Sequence, residues 1–410
     1  MDPLLDNAAD GRRLLIYSHD SFGLGHLRRC REIAHGLVES FPKLSVLILS
    51  GSPIIGSFGF RPRVDFVRMP GMIKLSNGEY SSHVLDIAAD KTLELRAAII
   101  QETARIFDPD IFLVDKEPLG LRGEVRSTLE LLQERGTRLV LGLRDVMDDP
   151  DSLQPEWARK GVHAALRDFY DEIWVYGLPQ ICDPLEGIEL PDSVRRKMTY
   201  TGYLRRSVSK DVGSAVPLVG SAPYVLVTPG GGGDGEALVD WVIRAYESQS
   251  DLPHRALIVF GPFMQSEHQA SFRQRIEALP SVEAITFDAN MEALMAGASG
   301  VVAMGGYNTF CEILSFDKPA IIVPRSKPRL EQTIRAERAQ ELGLVSMLDP
   351  NGERDAWAMA TALRQLSQQR RPSDVVVPGL LDGLENVNRL AGRVLNRIKQ
   401  RKRRFAAAGG

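Results

Sequence analysis

A glycine pair followed by polar residues and a carboxylate stands out in the second half of the sequence, at Gly305-Gly306-Tyr307-Asn308-Thr309-Phe310-Cys311-Glu312. It follows the apolar run 301–304, which predicts a strand that ends in glycine and continues into a helix. Glycines let a ligand approach the backbone, and the first N–H groups of a helix bind phosphate. Asn308 and Thr309 are predicted as the cap and the phosphate donors, and Glu312 as the acceptor for two ribose hydroxyls. The segment therefore predicts a nucleotide-diphosphate site.

A second glycine cluster, Gly230-Gly231-Gly232-Gly233, follows the apolar run 224–228. Packing does not explain four consecutive glycines, so we expect their backbone to approach a bulky anion. Glu331 and Gln332 stand at the predicted start of a later helix. Their paired polar side chains are candidates for binding the hydroxyls of a sugar.

The first half of the sequence contains the candidate general bases. His26 follows Gly23 and Gly25 at the predicted start of a helix, where the helix dipole disfavours the charged imidazolium. A neutral histidine accepts a proton from a hydroxyl near neutral pH, so His26 is the first candidate for the catalytic base. His19 and Asp20 are the alternatives.

Charged residues also follow two predicted strands of the first half. Lys116 and Glu117 come after the run 111–114, and Arg144 and Asp145 come after the run 138–143. Side chains at the carboxyl ends of strands face the ligand crevice of an α/β sheet. Two interpretations stay open for these residues, which are contacts with an acceptor substrate and a structural ion-pair cluster.

The elements that position these residues alternate between strand and helix in both halves, which predicts an α/β protein with two Rossmann-like domains facing across a cleft. We expect the domains at residues 11–206 and 223–380, joined by a linker at residues 207–222 that is rich in small residues. A last helix, residues 381–404, is predicted to pack back across the domain boundary.

Composition excludes several classes of protein. The 410 residues carry a net charge of −3, which does not favour nucleic-acid binding. Cys30, Cys182 and Cys311 are far apart, so neither disulfides nor a zinc site is expected. No signal peptide or membrane span is evident, which predicts a cytoplasmic protein. No metal or other cofactor is expected, because a helix dipole and a cation can stabilise the diphosphate in its place. The basic segment 397–404 is either a solvated helix end or a peripheral contact with an anionic membrane on its inner face.

Several motifs together resemble the GT-B-fold glycosyltransferases of family 28, the type that includes the N-acetylglucosaminyltransferase forming lipid II. The motifs that carry the resemblance occur in the family's order and spacing: Phe287-Asp288-Ala289-Asn290-Met291, Gly305-Gly306 to Glu312, Lys318-Pro319-Ala320 and Glu331-Gln332. The resemblance implies that Phe287 and Asp288 contact the nucleotide base. It also implies that Glu312 binds the ribose and that Glu331 and Gln332 bind the donor sugar. It also implies that the glycine loop at 230–233 and Arg206 face the diphosphate.

These observations predict a metal-independent glycosyltransferase of the hexosyltransferase type. It would move a sugar from a nucleotide-diphosphate donor, a UDP-sugar, to an acceptor hydroxyl on a lipid-linked or cell-envelope precursor. Two alternatives remain open. One is an enzyme related to UDP-sugar 2-epimerases, and the other is a non-catalytic partner protein that binds nucleotide-sugar.

Overall fold

The computed structural model describes residues 11–19, 24–74, 80–208, 223–231, 233–327, 329–352 and 354–408. Within these residues the chain forms two parallel sheets, one in each half, with helices on both faces. The α/β class predicted from the sequence is thereby confirmed. Most of the predicted linker, residues 209–222, lies outside the described part of the chain.

The first half contains a seven-stranded parallel sheet in the order β3-β2-β1-β6-β7-β8-β9 and a separate hairpin of β4 and β5. Its strands are β1 Arg12–Ser18, β2 Leu44–Ser50, β3 Val64–Arg68, β4 Met72–Lys74, β5 Tyr80–Ser82, β6 Ile111–Asp115, β7 Arg138–Arg144, β8 Glu172–Tyr176 and β9 Met198–Tyr200. Its helices are α1 Gly25–Ser40, α2 Ala89–Phe107, α3 Arg126–Glu134, α4 Pro150–Lys160, α5 Val162–Asp168 and α6 Asp192–Arg195.

The second half contains a six-stranded parallel sheet in the order β12-β11-β10-β13-β14-β15. Its strands are β10 Tyr224–Thr228, β11 Arg255–Val259, β12 Val282–Ile285, β13 Gly300–Ala303, β14 Ala320–Ile322 and β15 Ser346–Met347. Its helices are α7 Glu236–Ser248, α8 Ser266–Ile276, α9 Met291–Gly297, α10 Tyr307–Ser315, α11 Glu331–Glu341, α12 Ala356–Gln365 and α13 Gly383–Ala408.

The middle of each central strand is a run of apolar residues, as expected where helices cover both faces of a sheet. Every residue of β6 and of β10 is buried. Burying one large aliphatic side chain contributes about 1.5–3 kcal/mol, so these strands anchor the core of each half. The loops after them carry the polar residues of the cavity described below.

Helix α13 packs against α1 of the first half. The Asn388 side chain donates a 2.7 Å hydrogen bond to Ser40 at the end of α1. Gly36 and Gly392 lie where a side chain would meet Leu384 and Phe41, respectively, so small residues allow the close approach. None of the described helices is both long and apolar enough to cross a membrane.

Candidate functional site

A cavity of about 1260 Å³ lies between the two halves. Residues that follow β1, β6 and β7 line one side, and residues that follow β10 and β13 line the other. It is thus found at the carboxyl ends of the strands, where α/β sheets bind ligands. The following residues predicted from the sequence line it: His19, Gly25, His26, Lys116, Glu117, Arg144, Gly230, Gly231, Gly233, Phe287, Asp288, Gly305, Gly306, Asn308, Thr309, Glu312, Glu331 and Gln332.

Two predicted site residues, Asp145 and Arg206, are buried and are not part of the cavity wall. Asp145 accepts two 2.6 Å hydrogen bonds from Arg335 and a 2.7 Å bond from the Tyr203 hydroxyl. Because these buried partners occupy its oxygens, Asp145 belongs to a structural ion pair and not to the acceptor contacts. Three further predicted residues lie outside the described part of the chain: Asp20, Gly23 and Gly232.

Arg206 holds Asn308 instead of facing a diphosphate. Its Nη2 donates a 2.7 Å hydrogen bond to Asn308 Oδ1, and Asn308 Nδ2 donates a 2.9 Å bond to the carbonyl oxygen of Gly25. The N-cap of α10 is Gly306, so the prediction of Asn308 as the cap is wrong. The side chain of Asn308 joins the start of α10 to the start of α1, which brings the two halves together at the cavity.

His26, in the first turn of α1, is bonded to a carboxylate from the neighbouring strand. Its Nδ1 lies 2.5 Å from Asp115 Oδ2, at the end of β6. Arg29, one turn further along α1, donates two hydrogen bonds of 2.8 and 2.7 Å to the same carboxylate. A carboxylate at Nδ1 favours the tautomer with its proton there, which leaves the lone pair on Nε2. His26 therefore has the arrangement of a general base.

The charges around this pair favour a neutral imidazole beside an ionised carboxylate. Burial lowers the pKa of His26, and the attraction of Asp115 offsets part of that shift. Burial by itself raises the pKa of Asp115, but the Arg29 charge and then His26 outweigh it, so that pKa lies well below its ordinary value. Asp115 therefore stays charged and can stabilise the imidazolium that forms when His26 takes a proton.

His19, the alternative base, stands beside His26. The two ring centroids are 5.5 Å apart with the rings edge to face, and His19 Nδ1 lies 3.3 Å from the Tyr17 hydroxyl. Burial lowers the pKa of His19 to about 3, although the Glu117 carboxylate acts in the opposite direction. His19 has no carboxylate partner within hydrogen-bond distance among the described residues, so it is the weaker candidate for the base.

The second half contributes backbone groups to the cavity. Gly230, after β10, has φ 85°, and Gly305, after β13, has φ 76°, both in the left-handed region that favours glycine. A Cβ at Gly305 would lie 2.7 Å from the Ile322 side chain. Helix α10 begins next to Gly306 without a side-chain cap, so its first N–H groups remain available to an anion. This geometry suits a phosphate group.

Glu312 lies on α10 and is 1% exposed. It forms an ion pair through Oε1 with Arg28 of α1, and Arg28 also donates a 2.8 Å hydrogen bond to Glu292. Burial raises the pKa of Glu312, and the Arg28 charge opposes that shift. Glu312, the carboxylate predicted to bind the ribose, thus lies at the cavity, and one of its oxygens is paired with Arg28 of the other half.

Glu331 and Gln332 begin α11 and are both held by Arg325. Arg325 Nη2 donates a 2.9 Å hydrogen bond to Glu331 Oε1, and the Arg325 backbone N–H donates a 2.9 Å bond to Gln332 Oε1. The second oxygen of Glu331, Oε2, is buried without a hydrogen-bond partner within the described ranges. An unsatisfied buried acceptor costs about 1–3 kcal/mol, which a substrate hydroxyl would recover.

Phe287 and Asp288 lie on the loop after β12. The Phe287 ring packs edge to face on Phe58 from the first half, with centroids 6.5 Å apart. The Asp288 carboxylate accepts a 2.7 Å hydrogen bond from the Asn290 backbone, which fixes the loop. The loop therefore presents its backbone beside an aromatic pair at the cavity.

Lys116, Glu117 and Arg144 form the wall next to His19. Glu117 lies 3.7 Å from Lys116 and 3.3 Å from Lys160 of α4. Arg144 lies 3.9 Å from Glu331 of the second half. Glu117 is thus part of an ion-pair cluster, whereas Lys116 and Arg144 line the cavity with distant partners; their contact with an acceptor stays a prediction.

Sequence reasoning missed the partners of the predicted residues. The partnership of Asp115 with His26 was not predicted, because the bond spans 89 residues of sequence. Arg28 stands two residues after His26, yet its partners Glu292 and Glu312 come from the other half. Among the described residues, no group of three or more His, Cys, Asp or Glu side chains is arranged to hold a metal ion.

The comparisons with known proteins concern the fold and the second half of the chain. Residues 225–353 match the model described as the glycosyltransferase family 28 C-terminal domain. The comparison with curated proteins finds no match. Three similar solved structures illustrate the relation of the whole chain to known folds.

CalG4, the calicheamicin glycosyltransferase, is 15% identical, with 95% of this chain and 99% of that chain covered and a TM-score of 0.58. TcCGT1 in complex with UDP is 14% identical, with 94% and 100% covered and a TM-score of 0.61. A ugt transferase from Siraitia grosvenorii in complex with UDP is 13% identical, with 93% and 99% covered and a TM-score of 0.56. The chain thus has the GT-B fold, and its residues 225–353 match a glycosyltransferase family 28 C-terminal domain.

Proposed function

We propose that this protein transfers a sugar from a nucleotide-diphosphate donor, a UDP-sugar, to an acceptor hydroxyl. The observation that carries the proposal is the hydrogen bond of 2.9 Å from Asn308 to Gly25. It holds the start of α1, which carries His26, beside the start of α10, which suits a phosphate. A base and an anion site are therefore neighbours in one cavity, as glycosyl transfer requires.

In the proposed reaction, His26 Nε2 accepts the proton of the acceptor hydroxyl as its oxygen attacks the anomeric carbon of the donor sugar. The bond from that carbon to the β-phosphate oxygen breaks, and its electron pair leaves with UDP. Asp115 stabilises the imidazolium as it forms. The backbone at Gly230 and Gly305 and the N-terminus of α10 stabilise the departing diphosphate, so the proposed reaction is independent of metal.

The donor assignment has two kinds of support. Residues 225–353 match the family 28 C-terminal domain, and two of the similar structures are described as complexes with UDP. In the proposed complex, Glu312 binds the ribose, and Glu331 and Gln332 bind a hexose. Phe287 and Asp288 lie beside the nucleotide base.

For the acceptor, we propose a lipid-linked or cell-envelope precursor at the cytoplasmic face of the membrane. The likeness of the motifs to the enzyme that forms lipid II motivates this assignment, as does the basic segment 397–404 at the end of α13. The assignment requires peripheral contact only.

The test is incubation of the purified protein with UDP-, GDP- and dTDP-sugars, with mass spectrometry of the products. We expect release of UDP from a UDP-hexose, loss of that release in His26→Ala, and its retention in His268→Ala, which changes an exposed histidine outside the cavity wall. A 2-epimer of the donor would support the epimerase alternative. Binding of UDP without turnover of any donor in the presence of crude acceptor lipid would favour the non-catalytic alternative.

A further inference from the structure

Two cations of the cavity wall, Lys116 and Arg144, come from neighbouring strands of the first sheet. Lys116 directly follows β6, and Arg144 is the last residue of β7. A 2.8 Å hydrogen bond from the Lys116 backbone N–H to the Gly142 carbonyl keeps the strands in register up to this point. Both residues line the cavity. The sheet therefore presents two positive charges at its ligand-binding edge.

The backbone at Lys116 has a conformation that non-glycine residues rarely adopt. Its φ of 69° lies in the left-handed region, which costs a non-glycine residue on the order of 1–3 kcal/mol. Such strain clusters at ligand sites, where the side chain must adopt a particular direction. Here it accompanies a lysine whose side chain is only 13% exposed.

Neither cation has a close partner within the described residues. The nearest carboxylates are Glu117, 3.7 Å from Lys116 Nζ, and Glu331, 3.9 Å from Arg144 Nη1. Arg144 Nε is buried and makes no hydrogen bond in the described part of the chain. By contrast, the nearly fully buried Arg335 makes two bonds of 2.6 Å to one carboxylate.

The two nearest carboxylates are also shared with other cations. Glu117 lies 3.3 Å from Lys160, and Glu331 accepts a 2.9 Å bond from Arg325. Each carboxylate thus interacts more closely with a second cation than with Lys116 or Arg144. Burial and then the neighbouring Arg144 charge lower the pKa of Lys116 to about 8, although Glu117 opposes the shift. The groups that act on Lys116 from the surrounding elements are Arg144, Glu117, Arg329, Glu331, His19 and His26.

We propose that Lys116 and Arg144 form an anion subsite that binds a carboxylate or phosphate group carried by one of the two substrates. The planar guanidinium of Arg144 can donate two parallel hydrogen bonds to such a group, and Lys116 adds a point charge. The anion satisfies the buried Arg144 Nε and separates two cations that otherwise repel one another. The inference rests on the proposed glycosyl transfer, because it assigns the anion to a donor or an acceptor.

The anionic group has two possible sources, the donor and the acceptor. The anion is on the donor if the sugar is a uronic acid, because Glu331, a proposed sugar contact, lies beside Arg144. It is on the acceptor if that substrate carries a phosphate or carboxylate near its reacting hydroxyl. In both cases, Arg144→Gln and Lys116→Gln weaken binding of the anion-bearing molecule and leave binding of UDP itself unchanged.

The donor arm of the experiment measures UDP, UDP-glucose and UDP-glucuronate by calorimetry. The proteins are the wild type, Arg144→Gln, Lys116→Gln and the control Arg167→Gln, whose exposed side chain pairs with the neighbouring Asp168. If the donor carries the anion, we expect the wild type to bind UDP-glucuronate at least about tenfold more tightly than UDP-glucose. The preference should disappear in both cavity variants and persist in the control.

The acceptor arm titrates inorganic phosphate into the same four proteins, with and without saturating UDP. If the acceptor carries the anion, phosphate binds the wild type in both conditions, and each cavity variant weakens it at least about fivefold. An effect in the donor arm assigns the anion to the sugar, and an effect in the phosphate arm alone assigns it to the acceptor.

The proposal is overturned if the cavity variants, verified as folded by circular dichroism, change neither the glucuronate preference nor phosphate binding. Failure of the proposed function has a different signature, because the wild type would then either not bind UDP or bind it without turnover of any donor, while phosphate binding would still respond to the cavity variants. The Arg144 side chain makes no hydrogen bond within the described residues, so its replacement is compatible with folding, and Lys116→Gln supplies an independent second variant.

Discussion

Replacing Asp115 with asparagine tests the assignment of the base most directly. The side chain keeps its size, and its oxygen can still accept a hydrogen bond from His26 Nδ1. What it loses is the charge, which lies 2.5 Å from that nitrogen and stabilises the imidazolium formed during transfer. We therefore expect turnover to fall while the affinity for UDP, which depends on the second half, stays unchanged.

The size of the effect follows from the geometry. Charge centres on a contacting imidazolium and carboxylate are about 4 Å apart, and an effective dielectric constant of about 20 gives an interaction of roughly 4 kcal/mol. Loss of that interaction in the transition state corresponds to a turnover about 10³-fold lower. The value lies within the range of about 10²–10⁴ that general bases contribute.

The same carboxylate also holds Arg29, which is 1% exposed. Asp115→Asn leaves this buried cation without its anion, which costs about 3–5 kcal/mol of stability. The double variant Asp115→Asn/Arg29→Met removes the unpaired charge and should recover much of the stability without recovering turnover. Thermal unfolding and calorimetry with UDP, measured on both variants, separate the loss of fold from the loss of catalysis.

The result that would refute this assignment concerns how the effects of the His26 and Asp115 variants on turnover combine. His26→Ala alone should reduce turnover by a similar factor, and His26→Ala/Asp115→Asn should reduce it no further, because the two residues act as a unit. If a folded Asp115→Asn enzyme turns over at nearly the wild-type rate, or the two effects multiply, the pair is not the base. If His19→Ala or Asp20→Asn abolishes turnover while His26→Ala does not, the base is the residue whose replacement abolishes turnover.

Three further predictions concern binding and pH. Glu312→Ala should weaken UDP binding by about 1.5–3 kcal/mol in calorimetry, and an unchanged affinity in the folded variant would exclude the ribose contact. Because the pKa of His26 is lowered, its neutral form should persist below pH 6.5, so kcat should decline only in more acidic buffer; a decline that starts above pH 7 would contradict this. Truncation after Asn396 should abolish salt-sensitive co-sedimentation with anionic vesicles, at about 1 kcal/mol for each basic residue removed; equal sedimentation of both forms would leave segment 397–404 as a solvated helix end.

The fold could be predicted because its central strands carry a strong local signal. β1, β6 and β10 are continuous apolar runs, as expected for strands covered by helices on both faces. β3 gives no such signal, because it is an edge strand with Asp65 and Arg68 exposed, and the sequence analysis assigned no strand there. An edge strand depends on pairing with its neighbour, and such pairing is not encoded in a short run of residues.

The candidate site also has features that could be predicted from the sequence and features that could not. Glycine loops and helix starts could be predicted because their chemistry belongs to the local backbone. The partner of each charged side chain could not be predicted from the sequence. Asp145 and Lys116 both stand near the ends of neighbouring strands. Asp145 is paired with Arg335, however, whereas Lys116 lines the cavity. Only the packing of α11 against the first sheet decides between them.

The ion pairs that the sequence did not reveal explain how the predicted residues can work. Arg28 engages Glu312 at Oε1, and a carboxylate can accept about four hydrogen bonds across its two oxygens. The pair is therefore compatible with a ribose at Oε2, and the Arg28 charge opposes the burial that raises the pKa of Glu312. Asp115 acts on His26 by fixing which nitrogen carries the proton. In both cases the predicted group comes from a local motif, and its hydrogen-bond partner is a residue that only the fold brings near.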